Sequence, residues 1–182
     1  MRKIRSVFII LLASIIMHGC APLIKRIDDT NRGIVIGYID MDEAPTELEF
    51  VDIYQALPKT KEPYWGCAID DGMFYHILPF GSYQVSSFGG VERFLIFSGA
   101  SYVYNMPDYG ANETSVRVKK PGIYYAGSYQ YKKIKTGFFS PSKFDLIKTD
   151  KPTERDLLKR LTKDAVGTPW EPVIRKRLEE LK

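Results

Sequence analysis

Short stretches of β-branched and aromatic residues, many of them alternating with polar residues, follow one another from residue 33 to residue 148. Such stretches, separated by turn-forming residues, are typical of strands. In residues 115–119, for example, Val116 and Val118 alternate with polar neighbours, which indicates a strand buried on one face. The pattern predicts an all-β unit with strands at residues 33–39, 48–54, 64–69, 73–77, 83–88, 92–97, 101–105, 115–119, 123–131 and 144–148.

Asp71-Gly72 is the clearest turn signal in the chain. An Asp-Gly pair between two apolar stretches favours a type I′ turn, because both central residues of that turn need a positive φ angle. If these two residues form the loop, the register places residue 70 opposite 73, 69 opposite 74, 68 opposite 75 and Cys67 opposite His76. Further along, Gly89-Gly90 predicts a second turn, between two separate strands.

Helical signals begin only after Pro152. Thr153 and Asp156 have the spacing of a capping box, and the leucines that follow recur at helical spacing. Gly167 is placed to end this first helix as the residue after its C-cap.

A second helix is predicted to begin at Thr168, with Thr168 as N-cap and Pro169 in the first turn. Its apolar residues fall on one face; they are Trp170, Ile174, Leu178 and Leu181. Helices that follow strands without β-α alternation predict a mainly β protein. We expect an antiparallel β-sandwich with a short α-helical attachment at the C-terminus.

The first nineteen residues have the composition of a signal peptide. Three basic residues precede a mainly apolar run, residues 7–17, which is too short for a bilayer span of about 20 residues. The sequence Met17-His18-Gly19-Cys20 resembles the lipobox of bacterial lipoproteins, in which the signal peptide is cut before a lipidated cysteine. The resemblance implies that residues 1–19 are the signal peptide and that Cys20 carries the lipid. The alternative is an ordinary secretory signal, but no clear Ala-x-Ala cleavage site follows the apolar run.

The same resemblance implies a location. Ala21 stands where enterobacterial inner-membrane lipoproteins tend to carry Asp, which favours the outer membrane, facing the periplasm. We therefore expect a membrane protein of the cell envelope that is anchored by acyl chains such as palmitate. Residues 20–31 show no periodicity and are predicted to be a tether. The β-sandwich domain would then span residues 32–150, and residues 151–182 would form the C-terminal helices packed on it.

Residues 69–85 resemble the carboxypeptidase-regulatory-like and transthyretin-like (prealbumin-like) β-sandwich modules. In those modules an Asp-Gly hairpin precedes a Leu-Pro-Pro-Gly-x-Tyr turn. The matching positions here are Asp71-Gly72, Leu78-Pro79, Gly81 and Tyr83, with Phe80 in place of the second proline. Residues 33–37 are similar to the opening strand of these modules. The resemblance covers residues 33–88 and implies a transthyretin-like fold, but a fold does not specify chemistry.

The net charge of the chain comes mainly from the leader. The whole chain has 26 Lys and Arg residues against 22 Asp and Glu residues, a formal charge of +4. Removal of residues 1–19 takes away three basic residues and no acidic one, which leaves 23 against 22, or +1. A mature chain with this balance gives no reason to expect a nucleic-acid partner.

Cys67 and His76 are the first candidate site. If Cys20 carries lipid, Cys67 has no intramolecular disulfide partner, and His76 is the only histidine of the mature chain. One cysteine and one histidine cannot form a closed zinc site without carboxylates, so we expect no metal or other cofactor. The predicted register brings their Cβ atoms to about 4.5–5.5 Å. A catalytic pair also needs a lowered thiol pKa and an orienting third group, which the sequence does not indicate, so a packed cross-strand pair is favoured.

Tyrosines form a second candidate site. If the alternation in residues 123–131 is unbroken, Tyr125, Tyr129 and Tyr131 share one face with Gly127. An exposed row of tyrosines can stack on a sugar ring or clasp a peptide. Because tyrosine also favours strands in general, packing in the core or at an edge is the favoured alternative.

Two charged segments complete the candidates. The loop after the first strand holds Asp40, Asp42, Glu43 and Glu47. Calcium requires six to eight oxygen ligands, so a solvated acidic loop is favoured over a calcium site. The basic residues 175–177 could contact anionic lipid headgroups, but Glu179 and Glu180 follow directly, which favours a solvated helix face.

Two functional hypotheses follow. The first is a non-catalytic lipoprotein of the cell envelope that binds a protein or a glycan, or forms a structural part of an assembly. The lipobox and the resemblance to a sandwich module favour it. The second is a thiol-dependent envelope enzyme that uses Cys67 and His76.

Overall fold

The structure, a computed structural model, describes Ile24 and residues 31–57, 68–94, 97–106, 113–134 and 143–182. In this part of the chain the fold is mainly β, with two sheets and two C-terminal helices, as the sequence predicts. The strands are β1 (Gly33–Asp40), β2 (Phe50–Leu57), β3 (Ala68–Asp70), β4 (Met73–Leu78), β5 (Gly81–Phe94), β6 (Phe97–Asn105), β7 (Val116–Val118), β8 (Gly122–Ile134) and β9 (Lys143–Thr149). The helices are α1 (Glu154–Ala165) and α2 (Glu171–Glu180).

The two sheets differ in strand order and direction. The larger sheet has the order β3-β4-β1-β8-β9, and the smaller has the order β2-β5-β6 with β7 also paired to β5. β1 and β8 run parallel, whereas the other pairs are antiparallel. The expectation of a wholly antiparallel sandwich is therefore wrong for the larger sheet, which is mixed. Parallel neighbours need a long connection, and most of the strands lie between β1 and β8 in the sequence.

The Asp71-Gly72 turn has the predicted geometry. The φ angles are +46° at Asp71 and +74° at Gly72, as a type I′ turn requires. The predicted register is confirmed for the pairs 70 with 73, 69 with 74 and 68 with 75. Cys67 lies outside the described residues, so its predicted pairing with His76 stays a prediction.

The Gly89-Gly90 pair does not form the predicted turn. Both glycines lie inside β5, which is one long strand where the sequence predicts two. A Cβ atom on Gly89 would lie 2.0 Å from the carbonyl oxygen of Tyr102, and one on Gly90 would lie 2.2 Å from that of Glu47. Glycine is needed here because the neighbouring backbone approaches closely, which is the other common role of glycine in a strand.

The larger sheet is buried on both faces, and this produces two cores. One core lies between the two sheets and includes Val35 of β1, Ile53 of β2 and Phe88 of β5. The other lies between the larger sheet and the helices and includes Ile34 of β1 and Leu161 of α1. Alternate residues of β1 thus point into different cores, which explains why this strand is apolar at nearly every position.

The ends of α1 agree with the prediction, whereas α2 begins later than predicted. Thr153 and Asp156 form the capping box, and Gly167 follows the C-cap with a φ of +75°. The predicted start of the second helix at Thr168 is wrong, because α2 begins at Glu171 after an N-cap at Trp170. The Thr168 hydroxyl instead accepts a hydrogen bond from the Trp170 N–H at 3.3 Å, in the turn between the helices. The predicted apolar face is confirmed, since Trp170 and Ile174 are fully buried against the larger sheet.

Ile24 belongs to the same core as the helices. It lies within residues 20–31, the predicted tether, yet its side chain is 0 % exposed and packs in the core between the larger sheet and the helices. Its backbone N–H donates to the hydroxyl of Tyr75 on β4 at 3.3 Å. At least this residue of the segment is therefore part of the folded domain.

Candidate functional site

A cavity of about 430 Å³ lies at the C-terminal end of β1. Residues 38–48 form most of its wall, and the Asp71-Gly72 turn forms the rest. The turn reaches this position because β1 and β4 pair, and the Ile39 N–H donates to the Gly72 carbonyl at 2.9 Å. The acidic loop therefore forms one side of a concave site. Its other side is the Asp71-Gly72 turn, some thirty residues later in the chain.

Two carboxylates of the acidic loop, those of Asp40 and Glu43, have partners within the protein. Asp40 accepts hydrogen bonds from the backbone N–H of Asp42 at 2.9 Å and from the side chain of Gln130 at 3.2 Å. Glu43 forms an ion pair with Lys132 of β8. These contacts fasten the acidic loop to the larger sheet and turn its carboxylates towards different partners.

Among the described residues, no three His, Cys, Asp or Glu side chains are grouped so that they could hold a metal ion. Asp40 instead bonds to the local backbone and to Gln130, and Glu43 pairs with a neighbouring cation, Lys132.

Tyr38 borders the cavity as its main aromatic side chain. Burial raises the pKa of its hydroxyl, and the nearby charges of Asp40 and Asp71 raise it further, whereas Arg160 acts in the opposite direction. The hydroxyl is therefore neutral at physiological pH and can donate a hydrogen bond. The ring also packs on the hairpin, since a Cβ on Gly72 would lie 2.7 Å from its Cε2 atom.

Arg160 of α1 connects the helices to the hairpin beside the cavity. Its guanidinium lies 3.0 Å from the Asp70 carboxylate and 3.8 Å from that of Asp71. It also donates to the Asp70 carbonyl. These contacts hold α1 against the end of β3 and the start of β4.

His76 is buried between the two sheets. It is 2 % exposed, and its Nε2 lies 3.0 Å from the carbonyl oxygen of Val51 in the opposite sheet. Because a carbonyl can only accept, Nε2 carries the proton and donates it. Burial lowers the pKa of His76 to about 4, with the Val51 hydrogen bond acting weakly in the other direction. The imidazole is therefore neutral at pH 7 and forms a structural hydrogen bond between the sheets.

The three tyrosines predicted to share a face do not form an exposed row. Opposite β1, Ile36 pairs with Tyr125 but Gly37 pairs with Gly127, so Ala126 is an extra residue in a β-bulge. The bulge reverses the alternation, because every later side chain moves to the other face. Tyr129 and Tyr131 are both buried, at 1 % and 4 % exposure.

Each of these tyrosines has a structural contact. The Tyr125 hydroxyl lies 2.8 Å from the Ser128 hydroxyl and 3.3 Å from the Pro152 carbonyl, just before α1. The Tyr129 hydroxyl lies 2.7 Å from the Glu113 carbonyl, and burial raises the pKa of Tyr129 to about 12. Tyr131 lies in an aromatic cluster between the sheets whose other members are Phe88, Tyr104 and Phe144. The alternative of core packing applies to Tyr129 and Tyr131.

The remaining candidates fall on different parts of the chain. Cys20 and Cys67 lie outside the described residues. In the basic run, Arg175 pairs with Glu171 at 2.7 Å, and Arg177 pairs with Glu154 at 2.7 Å and with Glu180 at 3.1 Å. Within the described residues, no helix combines the length and the hydrophobicity that a bilayer span requires.

Comparison of the chain with protein-family models, with curated proteins and with solved structures finds no match.

Proposed function

We propose that this chain is a lipid-anchored lipoprotein of the cell envelope, in which Cys20 holds the β domain on a membrane. The observation that carries the proposal is the sequence Met17-His18-Gly19-Cys20, which begins at the last residue of the apolar run 7–17. The domain acts as a non-catalytic binding or structural module, with an envelope protein or a glycan as its partner. Its location is the outer membrane, facing the periplasm, in keeping with Ala21 after the lipidated cysteine.

The expected anchor is strong enough for permanent attachment. Each buried CH₂ group contributes about 0.8 kcal/mol, and a single acyl chain binds only marginally while two or more hold stably. A bacterial lipoprotein carries a diacylglycerol on its cysteine. Attachment by this lipid does not depend on salt, whereas attachment through basic side chains weakens as salt screens their charge.

We also propose that the module is a transthyretin-like sandwich. The type I′ geometry at Asp71-Gly72 supports this, because the resemblance begins with an Asp-Gly hairpin. A second support is the turn that follows, in which the Tyr83 hydroxyl donates to the Pro79 carbonyl at 2.8 Å. This bond gives the Leu-Pro-x-Gly-x-Tyr pattern a structural reason, since the tyrosine closes the turn that the proline and glycine form.

The environment of His76 favours a binding or structural module over a thiol-dependent enzyme. A Cys–His nucleophile needs an imidazole that takes up or stabilises a proton near neutral pH. His76 has a pKa lowered to about 4, and its Nε2 already donates to the Val51 carbonyl. An imidazole in this state is a poor base and a poor partner for a thiolate.

Metabolic labelling tests the anchor. The full chain is expressed in bacteria supplied with labelled palmitate, beside a Cys20→Ser variant and a Cys67→Ser variant. We expect label in the wild type and in Cys67→Ser but not in Cys20→Ser. The wild type should also stay with membranes in 1 M salt, where the screening length is about 3 Å. Label that persists in Cys20→Ser, or a wild-type protein that salt releases, contradicts the proposal.

A further inference from the structure

The burial of Ile24 determines how far the domain can lie from its anchor. Its side chain is 0 % exposed and packs in one core with Tyr75 of β4 and with Leu157 and Trp170 of the helical region. The Tyr75 hydroxyl also accepts the Ile24 N–H at 3.3 Å. The chain is therefore attached to the folded domain at residue 24, seven residues before the predicted tether ends.

Only three residues separate Ile24 from Cys20. At about 3.5 Å per residue, the Cα atoms of these two residues can lie at most about 14 Å apart. A free segment that extended from residue 20 to residue 31 would have an r.m.s. span of about 20 Å and could extend considerably further. With Ile24 buried, only the three residues between Cys20 and Ile24 remain to separate the domain from its anchor.

We infer that the lipidated protein lies with the helical side of its domain next to the lipid surface, where Ile24 enters the core between the helices and the larger sheet. This inference rests on the proposed lipidation of Cys20. The lipid places Cys20 at the membrane surface, and the short connection then keeps that side of the domain within about 14 Å of it.

The charge distribution agrees with a lipid surface as the partner of this side. Residues 151–182 contain nine Lys and Arg residues against six Asp and Glu residues, a formal charge of +3, whereas residues 20–150 contain 14 against 16, or −2. Lys159 and Arg175 lie on the two helices with side chains 60 % and 59 % exposed, each beside an acidic residue of its own helix, at 3.9 Å from Asp156 and 2.7 Å from Glu171, so the positive charge is a net property of this side. A positive side is suited to a membrane that carries anionic lipids.

Energy transfer from Trp170 to dansyl-labelled lipids measures this distance. Trp170 is fully buried in the core that holds Ile24, so it reports the position of the helical side. A Trp65→Phe background leaves Trp170 as the single tryptophan donor. The lipidated full-length protein is purified and reconstituted in vesicles that contain phosphatidylglycerol.

Two variants break the connection in different ways. The first inserts twelve Gly and Ser residues between Ala21 and Pro22, and its control carries the same insertion after Lys182. The second is Ile24→Asp, which removes the buried contact, with Ile24→Val as its conservative control. The insertion between Ala21 and Pro22 adds about 20 Å of r.m.s. reach, so we expect transfer to fall at least about two-fold. The two controls should keep the transfer of the parent protein.

The outcomes distinguish failure of the inference from failure of the lipidation on which it rests. Equal transfer in the parent and in the insertion variant, with both proteins labelled by palmitate, overturns the inference and leaves lipidation in place. A parent protein that incorporates no palmitate overturns both. Should Ile24→Asp fail to fold, as circular dichroism would show, the insertion variant still decides the question, because it leaves every buried residue unchanged.

Discussion

The two faces of the larger sheet are both buried, but they are built from different kinds of side chain. On the side of the helices, the sheet contributes Ile residues, Met73 and Tyr75 to a core that the helical region completes with Leu residues, Ala165, Ile174 and Trp170, and Tyr38 and Tyr125 pack against it partly buried. The face that meets the smaller sheet has an aliphatic centre, an aromatic cluster around Tyr104, and one buried histidine, His76, which is bonded across to Val51.

Because of this difference, one face contributes mainly to the stability of the fold, and the other also determines how precisely the two sheets are positioned. Apolar contacts are non-directional and stabilise in proportion to the area that they bury. A buried hydrogen bond adds less net free energy but tolerates little displacement, because an unpaired buried group costs about 1–3 kcal/mol. The helical side is therefore held mainly by packing, with polar contacts such as Arg160 to Asp70 at its exposed edge, whereas the contact between the sheets includes the fully buried hydrogen bond from His76 to Val51. Substitutions on the two faces should have different consequences.

Trp170→Ala is expected to have the largest effect, because it removes the largest fully buried side chain from the helical face. Truncation of a buried tryptophan costs about 3–5 kcal/mol, from lost transfer free energy and from the cavity that remains. The free energy of unfolding in urea, followed by circular dichroism, measures the loss.

Val166→Ala is the matched control, since Val166 lies between the same two helices but is 60 % exposed. We expect a change within about 0.5 kcal/mol there. A Trp170→Ala protein that loses less than about 1 kcal/mol would mean that the helices contribute little to the stability of the domain.

The second prediction concerns pH and the face between the sheets. Folding lowers the pKa of His76 from 6.5 to about 4 through burial. Between these values the unfolded chain binds more protons than the folded chain, so stability falls as the pH falls through this window. The full effect near pH 4 is on the order of 3 kcal/mol. Urea unfolding at several pH values between 7 and 4 measures it.

His76→Gln provides the comparison, because its side-chain amide can also donate to the Val51 carbonyl but does not titrate. Carboxylates whose pKa is lowered, such as Asp156 and Glu171, destabilise both proteins equally in acid. Stability of the parent should therefore fall more steeply than that of the variant between pH 6.5 and 4. Parallel curves would show that His76 is hydrated or paired in a way that this geometry does not allow.

Several features of the fold could be predicted from the local sequence. The Asp71-Gly72 turn and the capping box at Thr153 were predictable because each depends on the conformation of a few consecutive residues. The apolar face of α2 was predictable because helical spacing is regular. These features required no knowledge of distant partners.

The errors arose where distant partners decide the structure. The bulge at Ala126 places Tyr129 on the face opposite Tyr125, and its local signal is the isolated Gly127, which has a φ of +113° but does not by itself determine the register against β1. The role of Gly89 depends on the backbone of Tyr102, which lies on another strand. The parallel pairing of β1 with β8, likewise, cannot be seen in either strand alone.

The candidate sites follow the same rule. The acidic loop at residues 40–47 was evident from composition, but its cavity depends on Asp71, which the pairing of β1 and β4 brings there. The burial of Ile24 had no signal, because one isoleucine in an irregular segment shows no periodicity.

The third prediction tests the Asp71-Gly72 turn, which sets the register of β3 against β4. Gly72→Val should destabilise by about 1–3 kcal/mol, because valine disfavours a φ of +74°. Its Cβ would also lie 2.9 Å from the Ile39 carbonyl oxygen. Thermal unfolding and urea titration measure the loss.

Gly167→Val separates conformational strain from steric contact. Gly167 has nearly the same φ, +75°, but a Cβ there would have no heavy atom within 4 Å. We expect Gly167→Val to be destabilising but less so than Gly72→Val. Equal losses would mean that the crowding by Tyr38 and Ile39 contributes nothing, and that the turn is held by its φ angles alone.

The smallest effect is expected at the start of the helical side, from Thr153→Ala. The Thr153 hydroxyl accepts the Asp156 N–H at 3.2 Å, and the Asp156 carboxylate accepts the Thr153 N–H at 3.2 Å, so the variant breaks one half of the capping box. Loss of an N-cap threonine costs about 1 kcal/mol. Because the helical side is held mainly by packing, this loss should increase hydrogen exchange in the first turn of α1 while the amides of β2 and β5 keep their protection. Thr153→Ser, which keeps the hydroxyl, should restore the parent behaviour. Faster exchange throughout both sheets would instead show that the two sides of the larger sheet unfold as one unit. The two sides would then differ in their side chains but not in their local stability.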